Sequence, residues 1–212
     1  MKKEKQCHNT TGNYFLCITV LLIFAVSCQQ DEVFLDSSTK IESHRLVKSS
    51  EILSEEYTGT YEGGKWLMRL PEIWNSLETR YMIFYAHGMV DPTPYEPVRV
   101  PSDSLGGKAI EDIVTDMHMG YATTSYRDNG LIVLDAVKDV KKLVDLVMQF
   151  FKDYPEYHPP DILFLAGPSE GGLITVKTIE KYPQLFDGAI SICGPIGNFH
   201  EQLQYNGDFH VL

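Results

Sequence analysis

Hydrophobic and polar positions change period several times along this chain, and each change marks an element. Residues 56–61 and 65–70, separated by Glu62-Gly63-Gly64, predict a β-hairpin. Tyr81-Met82-Ile83-Phe84-Tyr85-Ala86 is an unbroken apolar run, the pattern of a buried strand, and it leads straight into His87-Gly88-Met89. A helix is predicted over 105–119 and a strand over 120–126. Over 131–151 the period becomes helical. Val133, Val137, Val140, Val144 and Val147 form one stripe, with Asp139, Lys141, Lys142 and Asp145 facing out. A short apolar run over 161–166 follows Pro159-Pro160 and predicts another buried strand. Leu173, Val176 and Ile179 then repeat at helical spacing until Tyr182-Pro183 stops the helix. Residues 188–193 are the last apolar strand. Strands alternating with helices predict an α/β three-layer sandwich: a mostly parallel sheet, an N-terminal hairpin, and helices on both faces.

The chemistry concentrates where the strand over 161–166 meets the next helix. Gly167-Pro168-Ser169-Glu170-Gly171 is a G-x-S-x-G pattern at a strand–turn–helix corner, the setting of a serine nucleophile. A serine hydroxyl attacks only when its oxygen stands clear of the fold and a base takes its proton. At such a corner the serine adopts positive φ, strained for a residue with a Cβ. Small residues two before and two after let strand and helix backbones pass close together, and Gly167 and Gly171 fill those places. The helix start directs free N–H groups, that of Glu170 first, to where negative charge develops in acyl transfer. A serine in a glycine-rich turn can also do no more than cap the helix. Pro168 removes an N–H just before the serine and biases Gly167 towards extended backbone, which suits a strand end.

The first residues change the picture of where the chain works. Lys2, Lys3 and Lys5 precede an uncharged, mostly apolar run over 14–26, too short to span a bilayer as a helix. Ala25-Val26-Ser27-Cys28 resembles the lipobox of bacterial lipoproteins. That likeness implies a signal peptide over 1–27, a lipid on Cys28, and anchorage in the bacterial cell envelope at the outer membrane, on its periplasmic or surface face; the alternative is an ordinary secretory signal cleaved nearby or an uncleaved anchor. Gln29-Gln30-Asp31-Glu32 resembles an acidic surface-export signal. The polar stretch over 28–53 predicts a tether, with the folded domain over 54–212. Cys7 and Cys17 lie in the leader, so Cys193 is left without a disulfide partner and is expected as a small buried hydrophobe in its strand. The net charge of −11 and the absence of a basic patch argue against nucleic acid as a partner. No Cys/His cluster has metal-ligand spacing, and no metal or organic cofactor is implied.

Three features together resemble the α/β-hydrolase family: Tyr85-Ala86-His87-Gly88, the Gly167–Gly172 corner, and Tyr182-Pro183-Gln184-Leu185-Phe186-Asp187-Gly188 leading into a strand. The resemblance covers about residues 54 to 200. It implies that the backbone N–H of Met89 joins that of Glu170 in an oxyanion hole, with the His87 side chain bracing the loop. It also implies an acid and then a histidine downstream of the serine, in chain order. His200, His210, Asp187 and Asp208 lie downstream, but no scaffold strand presents them. The strand over 188–193 would also be an exposed hydrophobic edge. An incomplete α/β-hydrolase domain, the N-terminal part of a longer protein, is therefore expected. The implied function is hydrolysis of an ester or peptide-like acyl bond in a small-molecule or peptide substrate, with triad acid and histidine outside this chain. The alternative is a catalytically inactive, truncated envelope lipoprotein with a binding or scaffolding role.

Overall fold

The computed structural model describes residues 41–49, 52–92, 97–198, 200–204 and 207. The leader, Cys28, the first part of the tether, Asp208 and His210 lie outside those residues. The chain begins with β1 (Ile41–Lys48), β2 (Leu53–Tyr61), β3 (Gly64–Pro71) and β4 (Tyr81–Tyr85). A two-stranded ribbon, β5 (Ser104–Leu105) with β6 (Lys108–Ala109), leads into α1 (Ile110–Asp116). Then come β7 (Gly120–Thr124), α2 (Val133–Asp153), β8 (Ile162–Pro168), α3 (Glu170–Lys181) and β9 (Gly188–Ile192).

Seven of the strands form one sheet in the order β1-β2-β3-β7-β4-β8-β9. The pairs from β1 to β7 are antiparallel and those from β7 to β9 are parallel, so β2, β7, β4, β8 and β9 all run the same way. Side chains alternate across this sheet because the strand period is two. Met82, Phe84 and Leu165 point to the face covered by α2 and α3 and join Val137, Val140, Val144, Val147 and Ile174 in the main core. Tyr85 and Tyr121, with Ile83 beside them, point to the other face, where Val114 and Ile110 of α1 cover them. Phe186, from the turn before β9, meets Phe84 edge-on at 5.5 Å. The parallel strands put all their C-terminal ends on one edge, and that edge carries the candidate site.

Several local expectations change. The polar stretch read as a tether includes a strand: β1 pairs antiparallel with β2 along its whole length. Its side chains are mostly exposed, so it shows no apolar stripe, and its order comes from main-chain pairing and contacts such as Arg45 Nε to Glu56 Oε1 at 2.6 Å. The buried Glu56 also accepts from Arg69 Nε at 2.6 Å, and Arg69 reaches Asp112 of α1 at 2.6 Å, which ties the hairpin to the helix. The helix predicted over 105–119 shrinks to α1, because Gly106 and Gly107 take positive φ and make a turn. Asp139 faces inwards rather than out: fully buried, it takes the Arg127 backbone N–H at 2.9 Å and its guanidinium at 2.7 Å. On α3 the buried face is Gly171, Ile174, Thr175 and Thr178, not Leu173, Val176 and Ile179. Small residues face the sheet there because strand and helix pass so close, and Leu173 is left half-buried outside that face. Cys193 lies past the end of β9 with φ of 52° and is exposed, not buried in the strand.

Candidate active site

Ser169 occupies the single-residue corner between β8 and α3, with φ of 52°. A non-glycine residue holds that conformation only where its surroundings over-determine it. Here they do. The Ser169 N–H donates to the Ile192 carbonyl at the end of β9 (2.9 Å), and its own carbonyl accepts the Gly172 N–H at 3.0 Å. The side chain is exposed, and among the described residues no histidine or carboxylate hydrogen-bonds to its hydroxyl.

The flanking glycines explain why the corner exists. A β-carbon on Gly171 would lie 1.9 Å from the Ala86 carbonyl oxygen, and one on Gly167 would lie 2.4 Å from the Gly171 oxygen and 2.7 Å from that of Ala86. Three backbones, the end of β4, the end of β8 and the start of α3, thus meet in a space with no room for a methyl group. The same crowding brings Gly88 to the serine: a β-carbon there would stand 3.6 Å from Ser169 Cβ. Gly172 packs just as closely against Gly194, where added β-carbons would meet backbone at 2.8 Å and 2.7 Å.

The His87-Gly88-Met89 loop is held from below. His87 is buried and its ring stacks on Tyr126 at 4.0 Å between centroids. Burial lowers its pKa, so the ring is neutral at pH 7. Its Nδ1 lies 2.6 Å from the Gly88 carbonyl oxygen, which makes Nδ1 the protonated nitrogen. Because a trans peptide points its N–H opposite its C=O, fixing the Gly88 carbonyl also fixes the direction of the Met89 N–H. The Met89 side chain is exposed. Tyr126 donates its hydroxyl to the His87 carbonyl at 3.1 Å, and burial raises the phenol pKa far enough to keep it a donor. Loop tyrosines carry no sequence signal of their own, so this brace could not be read from the pattern.

Glu170 has two roles to separate. As the first residue of α3 its N–H has no intrahelical acceptor and opens towards the corner. Its side chain turns inwards, is buried, and accepts the Ile132 N–H at 2.9 Å, joining α3 to the residue just before α2. Burial pushes its carboxyl pKa up, with the Ile132 hydrogen bond pulling the other way.

The downstream acid and base candidates do not gather here. Asp187 accepts the Leu163 N–H at 2.8 Å, at the far end of β8. Ser169 lies six positions along the chain from Leu163, about 20 Å at the strand rise. His200 is exposed, and its Nε2 contacts the Gln204 side chain at 3.0 Å. Among the described residues no group of three or more His, Cys, Asp or Glu could hold a metal.

No family model and no curated protein matches the chain. Among solved structures it is similar to an esterase from Aspergillus oryzae, with a TM-score of 0.50 and 12% identity over 73% of this chain and 34% of that one. It is also similar to a candidate dipeptidyl aminopeptidase IV from Bacteroides ovatus (TM-score 0.48, 18% identity, 67% and 21%). A third is the rice cell wall degrading esterase LipA from Xanthomonas oryzae (0.46, 12%, 74% and 50%). At such identities the likeness is one of fold, and the fold is that of the α/β-hydrolases. The chain spans between 21% and 50% of the length of these three structures.

Two predictions follow from the crowded corner and its carboxylate. Gly171→Ala must displace the Ala86 carbonyl, so it should cost at least about 3 kcal/mol in chemical denaturation, against the small gain alanine gives an open helix. Glu170→Gln keeps an acceptor for Ile132 without a charge. With the folded pKa raised, the stability of the neutral carboxyl is fully present below the unfolded value of about 4.3 and lost as pH rises through the folded one. The variant should therefore match the parent near pH 4 and melt higher than it at pH 7 to 8; a constant difference across that range would contradict the assignment.

Proposed function

We propose that this chain carries the nucleophile half of a serine hydrolase that cleaves an ester or peptide-like acyl bond. One observation carries the reading: an exposed Ser169 held at φ of 52° on a strand–helix corner, with the Gly88 backbone against its Cβ. In the proposed step the Ser169 oxygen bonds to the substrate carbonyl carbon while its proton passes to a base. The bond to the leaving alcohol or amine then breaks and the leaving group takes that proton. Water later releases the acyl group by the reverse sequence. The Met89 and Glu170 N–H groups would receive the oxyanion. Two such donors are worth several orders of magnitude in rate because they are fixed before charge develops. The acid and the histidine base are proposed to come from outside the described residues.

The reading extends to location. The lipobox-like Ala25-Val26-Ser27-Cys28 supports a protein anchored through lipid on Cys28 in the cell envelope, on the outer membrane. Intact-mass measurement of detergent-extracted protein should find Cys28 as the acylated first residue, and a chain beginning elsewhere without lipid would reject the anchor.

A serine-directed fluorophosphonate decides between enzyme and scaffold. It should label Ser169 of the folded protein and leave Ser169→Ala unlabelled. A folded chain that stays unlabelled would favour the second reading, a non-catalytic envelope lipoprotein that keeps the fold as a binding surface. The observation on that side is that no described histidine reaches the serine.

A further inference from the structure

We propose that the apolar recess at the start of α2 receives the hydrocarbon chain of the substrate, so that the bond cleaved at Ser169 belongs to a medium-chain acyl ester. The proposal rests on the serine hydrolase reading above and adds the substrate class. The recess is open, has a volume of about 610 Å³, and is lined by Leu131, Ile132, Val133, Leu134, Asp135 and Leu173. Leu131 and Leu134 are 60% and 74% exposed, although the valine stripe of α2 is buried beside them. Leu173 is one of the apolar residues of α3 that its buried face does not absorb.

The recess neighbours the serine corner. Leu173 stands one helical turn beyond Ser169, and its N–H reaches the Ser169 carbonyl at 3.4 Å. The Ile132 N–H is held by the carboxylate of Glu170, the residue after the serine. The Gly130 N–H donates to the Val90 carbonyl at 2.8 Å, which fastens the turn before Leu131 to the loop that carries Met89. The floor of the recess and both proposed oxyanion donors therefore belong to one hydrogen-bonded unit. Its charge excludes an anionic occupant. The one ionisable lining group is Asp135, whose carboxylate pairs with Lys138 at 2.8 Å, so no lining cation is offered to a headgroup or free carboxylate. An uncharged hydrocarbon chain fits, because full burial of each methylene is worth about fourfold in affinity.

The test uses alkyl fluorophosphonates from ethyl to decyl on the full chain, with labelling rate constants measured at Ser169. The rate should rise at least tenfold from butyl to octyl. In the double variant Leu131→Ser, Leu134→Ser it should fall to the butyl level for every probe, with melting scans showing that the variant still folds. Equal rates along the series, or a variant that keeps the preference, would overturn the proposal. If no probe labels Ser169, the hydrolase reading fails separately, and the recess is read by N-phenyl-1-naphthylamine fluorescence. Saturable binding that 1-decanol displaces, and that the double variant loses, supports an apolar-chain site; absence of that binding rejects it.

Discussion

Everything at the functional edge depends on one steric fact: three backbones cross within a space too small for a single β-carbon. The start of α3 can lie over the end of β8 only because Gly167 and Gly171 lack side chains. Both face the Ala86 carbonyl, so β4 must end at that point as well. Parallel pairing sets Tyr85 opposite Ala166, and the Ala86 N–H then bonds to the Ala166 carbonyl at 2.9 Å. Register, helix placement and the left-handed backbone of Ser169 are thus one constraint seen from three strands. Sterics of this kind are hard to relax, since the atoms in the way are backbone and not the ends of flexible side chains.

Around that contact the fold places buried polar side chains that hold backbone groups. The His87 ring fixes the Gly88 carbonyl, Tyr126 fixes the His87 carbonyl, and Thr123 Oγ1 donates to the Tyr85 carbonyl at 2.9 Å. β4 therefore leaves the sheet with its carbonyls held by side chains of the β7 segment. On the other side Glu170 reaches Ile132. The first turns of α2 and α3 are thereby locked to the loop after β4, with no titratable side chain of that set directed at the serine. The corner is held by packing and by hydrogen bonds that include the Glu170 carboxylate.

Period and punctuation in the sequence carry the sheet and helices, because apolar runs bounded by glycine and proline have few alternatives. β4, β8 and α2 fall within two residues of where the pattern puts them. The G-x-S-x-G corner is legible for the same reason: its glycines are required by contact, and contact requirements leave fixed spacings. What the pattern hides is polar order. β1 is exposed on both faces and has no stripe, so Ile41–Lys48 reads as tether. Asp139 reads as solvent-facing because its partner, Arg127, lies in a loop twelve residues earlier. Tyr126 and Glu170 act through single hydrogen bonds to backbone carbonyls and N–H groups, and no spacing rule announces such bonds. Cys193 looks like strand core, yet the chain bends into positive φ there and turns it out.

On the proposed hydrolase reading, the same geometry limits where a base could reach Ser169. Towards β4 the serine is walled by Gly88 and the loop that Tyr126 braces. Towards α2 lies the Glu170–Ile132 link, with the apolar recess beside it. Towards β9 it is open: its N–H meets the Ile192 carbonyl, and beyond Ile192 the exposed Cys193 and the Gly194–Gly172 contact form a low rim. β9 is also where the sheet is least covered. Ala189 packs inwards, while Ile190 and Ile192 on the opposite face stay 64% and 48% exposed, with no described helix over them. An added β-carbon on Gly188 would strike the Phe164 ring, which stacks on Tyr81 and extends the same apolar face. A segment that covered those isoleucines would come up beside the β9 flank of the serine. On the proposed hydrolase reading, covering this face of β9 and bringing a base to Ser169 would draw on the same flank of the sheet.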